Sequence, residues 1–253
     1  MQVVVNDILT SYSINGSGKV VLMIHGWGDA SKTFALLEKK LSKNYQVICL
    51  DLPGFGATAT PRETYSLQSY AEFIKNFLVK IDSANIFAII GHSNGGAIAL
   101  KALEIKSITA EKLILLASSG VRQIHTPRNK VIRLGAKILK IPTLILPKSV
   151  QLKIKKHVYR KIGSDLFVAE NMQATFKEII SEDLINQASA VSNDTLLIYG
   201  DKDSATPIVY GEKFANVLIN SRLEIIVGAG HFLHQTHANH VYNLIEDFIT
   251  CHD

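Results

Sequence analysis

Six short apolar runs punctuate the chain: "KVVLMI" (19–24), "YQVICL" (45–50), "IFAII" (86–90), "KLILLA" (112–117), "DTLLIY" (194–199) and "LEIIV" (223–227). They are continuous rather than alternating, as expected of strands covered on both faces. Amphipathic stretches lie between them: "SKTFALLEKKLSK" after the first, "SLQSYAEFIKNFLVKI" after the second and "NGGAIALKALEI" after the third. "VYGEKFANVLI" follows the fifth and "HVYNLIEDFI" the last. Strand and helix in alternation require right-handed crossovers. The expected fold class is therefore α/β, a mostly parallel central sheet flanked by helices. The opening "MQVVVNDILTSYSINGSG" lacks a basic head followed by an apolar run, and reads as a hairpin rather than a signal peptide.

The alternation breaks once. After "LILLASSGVR" about seventy residues pass before the next strand pattern, with Pro127, Pro142 and Pro147 among them. A structureless loop of that length is disfavoured in a compact domain. The expectation is a helical lid, residues 121–190, inserted into a core made of 1–120 and 191–253. Twelve Lys and Arg lie between Arg122 and Lys161 without one Asp or Glu, so all 22 acidic residues lie elsewhere. Such a segment can be a solvated face over an apolar stripe. It can also dock an acidic carrier protein, capture an anionic acyl substrate or touch an anionic membrane surface. Nucleic acid is not expected, because aromatic residues are sparse there (Tyr159 and Phe167).

A chain of 253 residues with 47% hydrophobic content suffices for one large domain with an insertion. No uninterrupted apolar run of about 18 residues indicates a membrane span. The two cysteines, Cys49 and Cys251, have no metal-like spacing, which suits a reducing, cytoplasmic setting.

The third apolar run opens into Gly91-His92-Ser93-Asn94-Gly95-Gly96. A strand that turns at once into a helix holds its corner side chain out in the open, provided small residues let the two backbones approach. Ser93 is thereby a candidate nucleophile at the carboxyl end of a strand, where ligands of parallel sheets gather. A capping serine in a glycine-rich turn is the plainer reading. A phosphate cradle is disfavoured, since neither Gly-Lys-Ser/Thr nor Gly-x-Gly-x-x-Gly occurs at this turn.

A serine hydroxyl needs a base, and the base an orienting acid. His231 follows the last strand run on Gly228-Ala229-Gly230 and is the candidate base; His234 and His237 are expected at a cap or on the surface. Asp201 and Asp203 both qualify as the acid by position. Asp194 precedes its strand, on the wrong edge of the sheet, and Asp51 in "DLPGFG" looks like a loop brace. An oxyanion calls for two donors. One is the Asn94 N–H; Trp27 in His25-Gly26-Trp27-Gly28 is placed to supply the other. His25 reads first as a brace of that loop. His25 and Ser118 are also candidates to line the substrate pocket.

Together "HGWG" (25–28), "DLPGFG" (51–56), "GHSNGG" (91–96), "YGDKDSATP" (199–207) and "GAGHFLHQ" (228–235) resemble the α/β-hydrolase superfamily, in the family's order and across the whole chain. The resemblance implies that Asp203, last in Gly-x-x-Asp, is the acid, and that Trp27 and Asn94 form the oxyanion hole. It implies hydrolysis of an ester or thioester through a Ser93–His231–Asp203 triad and an acyl-enzyme, with no metal or organic cofactor. A serine at the elbow argues against the dehalogenase and epoxide-hydrolase chemistry that uses Asp there. Carbon–carbon bond hydrolases, cofactor-free haloperoxidases and ligand-sensing members share the triad and stay open.

Overall fold

The computed structural model describes residues 1–122 and 170–250. Eight strands form one sheet: β1 (Gln2–Val5), β2 (Ile8–Asn15), β3 (Val20–Ile24), β4 (Gln46–Leu50), β5 (Ile86–His92), β6 (Ala110–Leu116), β7 (Asp194–Gly200) and β8 (Ser221–Ile226). Their spatial order is β1-β2-β4-β3-β5-β6-β7-β8. The opening hairpin is present, with β1 antiparallel to β2 and β2 antiparallel to β4, and every later pairing is parallel.

The helices of the described chain are α1 (Ala35–Leu41), α2 (Leu67–Lys80), α3 (Asn94–Glu104), α4 (Gln173–Ser181), α5 (Ile185–Ala188), α6 (Ile208–Ala215), α7 (Leu233–Thr236) and α8 (Ala238–Thr250). A 3-10 turn, Ser31–Phe34, leads into α1. Helix α2 starts on a reciprocal cap in which Ser66 and Ser69 each bond the other's backbone N–H.

The continuous apolar runs have a direct physical reason. Successive residues of a strand point to opposite faces, and both faces here are covered. Leu22 and Ile24 of β3 join a core with Tyr70, Phe73 and Phe77 of α2, and with Leu100 of α3. Val21 and Met23 join a second core with Leu37 and Leu41 of α1 and Val241, Ile245 and Ile249 of α8. The edge strand β8 is the exception; only Ile226 of its six residues is buried.

Most of the expected lid, and every one of the twelve basic residues from Arg122 to Lys161 except Arg122 itself, lies outside the described residues. Its returning part is helical, from a 3-10 turn at Glu170–Met172 through α4 and α5. It is tied to the core: the Leu184 N–H donates to Gly120 O at 2.7 Å, and the Tyr65 N–H donates to Thr175 Oγ1 at 3.0 Å. No helix of the described residues is long and apolar enough to cross a membrane.

Candidate active site

Strand β5 runs directly into α3, and Ser93 occupies the corner with φ 52° and ψ −118°. This left-handed conformation is uncommon for a residue with a side chain and persists only where its surroundings enforce it. Here the Ser93 N–H donates to Leu116 O at 3.0 Å, while Ser93 O accepts from Gly96 N and Ser119 N, both at 3.0 Å. The glycines of the motif are demanded by contact. A Cβ on Gly91 would lie 2.6 Å from the Gly96 Cα, and one on Gly95 would collide with the carbonyl oxygen of Ile24. The helix start is thus pressed onto the end of β3.

The expected partners converge on Ser93. The loop after β8 brings His231 Nε2 to 3.0 Å from Ser93 Oγ. His231 Nδ1 lies 2.7 Å from Asp203 Oδ2 on the loop after β7. Of the two carboxylates after β7, Asp203 faces the imidazole, while Asp201 Oδ1 accepts the Gly228 N–H at 2.6 Å. The other Asp203 oxygen accepts from the N–H groups of Ala205 and Thr206, at 2.8 and 3.0 Å. Burial raises the Asp203 pKa, but the His231 ring and the donors of Thr206 outweigh it and hold the carboxyl below its ordinary value. An anionic Asp203 fixes the His231 tautomer with hydrogen on Nδ1, which leaves Nε2 to accept the serine proton.

The loop after β3 passes beside the nucleophile. A Cβ on Gly26 would lie 3.1 Å from Ser93 Cβ. Trp27 follows Gly26 on this loop, and the Asn94 N–H is one of the first in α3 and so without an acceptor in its own helix. The Trp27 ring packs on Phe55 and Phe176, at centroid distances of 4.8 and 5.1 Å. Trp27 Nε1 and Asn94 Nδ2 are buried donors without a partner among the described residues.

Two pocket candidates are corrected. His25 is wholly buried and serves its own loop: Nδ1–H donates to Gly26 O at 2.7 Å, and Nε2 accepts the Leu52 N–H at 2.9 Å. Ser118 is also wholly buried, donates to Ser119 O at 3.0 Å and packs under Gly96 where a Cβ would sit. Neither has surface to offer a substrate. Asp51 is the brace expected of it, accepting from Ser31 N at 2.7 Å and Ala57 N at 2.9 Å.

Sequence reasoning missed three supporting residues. Thr206 Oγ1 lies 2.8 Å from Asp203 Oδ2 and 3.1 Å from His231 Nδ1; its only signal was its place three residues after the acid. His92 is buried beneath the elbow, and its Nε2 meets His231 O at 3.0 Å. His234 is neither a cap nor on the surface. It is wholly buried, its Nε2 lies 2.8 Å from Thr33 Oγ1, and its ring is 4.3 Å from that of His92. Burial lowers the pKa of both, that of His234 to about 4, so both rings are neutral at neutral pH.

A family model described as the alpha/beta hydrolase fold matches residues 19–140. An uncharacterised protein of Mycobacterium tuberculosis is 27% identical over 274 residues, covering 94% of this chain and 77% of its own. The 2-hydroxy-6-oxo-6-(2'-aminophenyl)hexa-2,4-dienoic acid hydrolase of Metapseudomonas resinovorans is 24% identical over 255 residues, covering 95% and 87%. Among solved structures, a meta-cleavage product hydrolase from Pseudomonas fluorescens superposes with a TM-score of 0.75 at 20% identity, covering 98% of this chain and 96% of its own. An esterase from Exiguobacterium antarcticum superposes with a TM-score of 0.76 at 22% identity, covering 99% of each chain. The matched motifs, the sheet order and these likenesses agree: the chain belongs to the α/β-hydrolase superfamily.

Proposed function

We propose that this chain is a serine hydrolase that cleaves carboxylic ester or thioester bonds through an acyl-enzyme. The observation that carries the reading is the unbroken path from Ser93 Oγ through His231 to Asp203, with contacts of 3.0 and 2.7 Å. His231 Nε2 takes the Ser93 proton as Oγ attacks the carbonyl carbon. The N–H groups of Trp27 and Asn94 receive the developing oxyanion. His231 then gives its proton to the leaving oxygen or sulfur as that bond breaks. A water, deprotonated by the same nitrogen, releases the acid and restores Ser93. Asp203 stabilises the imidazolium formed in each half.

The neighbours support a second reading, in which the same triad opens a carbon–carbon bond, because a dienoic acid hydrolase and a meta-cleavage product hydrolase are among them. The unpartnered donors Trp27 Nε1 and Asn94 Nδ2 favour a substrate with further acceptor oxygens near the scissile bond. The basic stretch 122–161 supports an anionic partner by charge alone: an acidic carrier protein, an acyl chain ending in carboxylate or an anionic membrane surface. The deciding experiment is turnover of short p-nitrophenyl esters beside a vinylogous diketone acid, with phosphonate trapping. Multiple turnover of the esters with label on Ser93 supports the esterase. Turnover of the diketone alone supports the second reading. One slow turnover with retained acyl group would point to a ligand-sensing role.

A further inference from the structure

Beneath the elbow, three side chains from three separate segments, Asp29, His92 and His234, come together. His92 Nδ1, His234 Nδ1 and one oxygen of Asp29, Oδ2, are each buried, and among the described residues none has a hydrogen-bond partner. One ligand atom from each residue lies within 4.8 Å of the others. The rings are 1% and 0% exposed. A buried polar atom left unpaired costs roughly 1–3 kcal/mol, so three such atoms within one cluster favour a shared guest.

The remaining atoms of each residue are already engaged, and for His92 this fixes what the free atom offers. His92 Nε2 faces the carbonyl oxygen of His231, which can only accept, so Nε2 carries the hydrogen and Nδ1 presents a lone pair. His234 Nε2 is held by Thr33 Oγ1 at 2.8 Å. Asp29 Oδ1 accepts the Ala30 N–H at 2.9 Å, leaving Oδ2. Among the described residues no cation pairs with Asp29. A side chain at Gly26 would crowd the place, since its Cβ would lie 3.1 Å from His92 Nδ1.

From this juxtaposition we infer that His92, His234 and Asp29 form a buried site for one divalent transition-metal ion of the zinc class, separate from the Ser93–His231–Asp203 path. Two imidazoles and a carboxylate are a ligand set such ions take. For three points within 4.8 Å of each other there is always a place no more than about 2.8 Å from all of them, and zinc bonds of ~2.0–2.2 Å need the ligands to settle inward by roughly half an ångström. A carboxylate oxygen with no positive partner favours a cation over a neutral guest. The site joins the three segments that carry the candidate catalytic groups: Asp29 follows the Trp27 loop, His92 precedes Ser93, and His234 follows His231 by three residues. An ion there clamps the donor loop, the elbow and the base to one another. Its role is to hold them, and no step of acyl transfer passes through it.

The test is metal binding read apart from activity. Chelator-stripped full-length chain is titrated with Co²⁺ and with Zn²⁺, followed by the cobalt visible spectrum, metal content after gel filtration, and thermal unfolding by circular dichroism. The expected result is about one ion per chain, a ligand-field spectrum of mixed nitrogen and oxygen ligation, and a Tm raised by about 5 °C or more at a hundredfold excess over Kd. Asp29→Asn, His92→Gln and His234→Gln should each weaken binding at least tenfold. Glutamine keeps a polar group where Nε2 was and removes Nδ1. Should one variant not fold, the others still report. Wild-type chain that holds no stoichiometric metal and gains no Tm would overturn the inference and leave a buried water as the guest. Variants that bind as tightly as wild type would place the metal elsewhere and overturn it equally.

Discussion

His92 donates through Nε2 to the backbone carbonyl oxygen of His231 across 3.0 Å. The residue that precedes the candidate nucleophile thus holds the backbone of the candidate base. The bond spans 139 positions of sequence and fixes the spacing between elbow and histidine loop from beneath, while Ser93 Oγ and His231 Nε2 meet above. Asp201, through the Gly228 N–H, secures the far end of the same loop. The triad distances are consequences of this frame as much as of the three side chains.

Ser93→Ala should lower ester turnover by about 10⁴-fold or more while the thermal unfolding curve barely moves, since a small side chain replaces a small one. His231→Ala should be as severe. Mass spectrometry after phosphonate treatment should find the label on Ser93. Label on Ser118 or Ser119 would show that the nucleophile has been misassigned.

Asp203→Asn should cost about 10³–10⁴-fold in kcat, because an amide neither stabilises the imidazolium nor fixes its tautomer. Asp201→Asn keeps an oxygen for the Gly228 N–H and should change kcat less than about threefold. Steady-state kinetics on one neutral ester compares the pair, and the opposite ranking would transfer the acid role to Asp201.

Gly95→Ala drives a methyl into the Ile24 carbonyl and should destabilise by about 3 kcal/mol or more. Gly230→Ala is the control, with nothing within 4 Å of the added carbon, and should lie within about 0.5 kcal/mol of wild type. Urea midpoints at constant m-value measure both.

Acid should destabilise the fold in two windows. Burial lowers the His25 pKa by more than the Gly26 carbonyl and the Asp51 and Asp29 carboxylates raise it. Below a pH of about 6.5 the unfolded chain therefore binds a proton that native His25 refuses, and stability falls with pH. His25→Gln, which retains an acceptor for the Leu52 N–H, should flatten that part of the urea-stability profile. Asp203, held below its ordinary pKa, contributes stability above a pH of about 4 that is lost as pH falls toward its native value. Asp203→Asn should remove this lower window, and a profile unchanged by either substitution would contradict the assignment.

The basic stretch should show itself in salt dependence. With a Debye length near 8 Å at about 0.15 M, kcat/KM for acyl chains that end in carboxylate, or ride on an acidic protein, should fall steeply as salt rises. Neutral short esters should change little. Reversing Lys153, Lys155 and Lys156 together should reproduce the loss at low salt. Equal responses from both substrate classes would leave the stretch a solvated surface.

The fold was legible because two local periodicities alternate: continuous apolar runs from "KVVLMI" to "DTLLIY" mark strands buried on both faces, the edge run "LEIIV" is a strand partly exposed along most of its length, and the stretches between them read as helices. The elbow was legible because a strand that turns at once into a helix needs small residues at fixed places around its corner, a local pattern. By itself the sequence placed Ser93, His231 and one aspartate at the carboxyl ends of their strands. Tertiary packing decided what local pattern does not encode. It separated Asp203 from Asp201, which differ by the direction each faces off one loop. It buried His25 and Ser118, which position alone left free to line a pocket. It gathered His92, His234 and Asp29, whose sequence spacing fits no ligand motif, because the end of β5, the short helix α7 and the segment after β3 pack together. Chain order and periodicity determine which residues reach the carboxyl ends of the strands, and only the packing of loop against loop determines which of them touch.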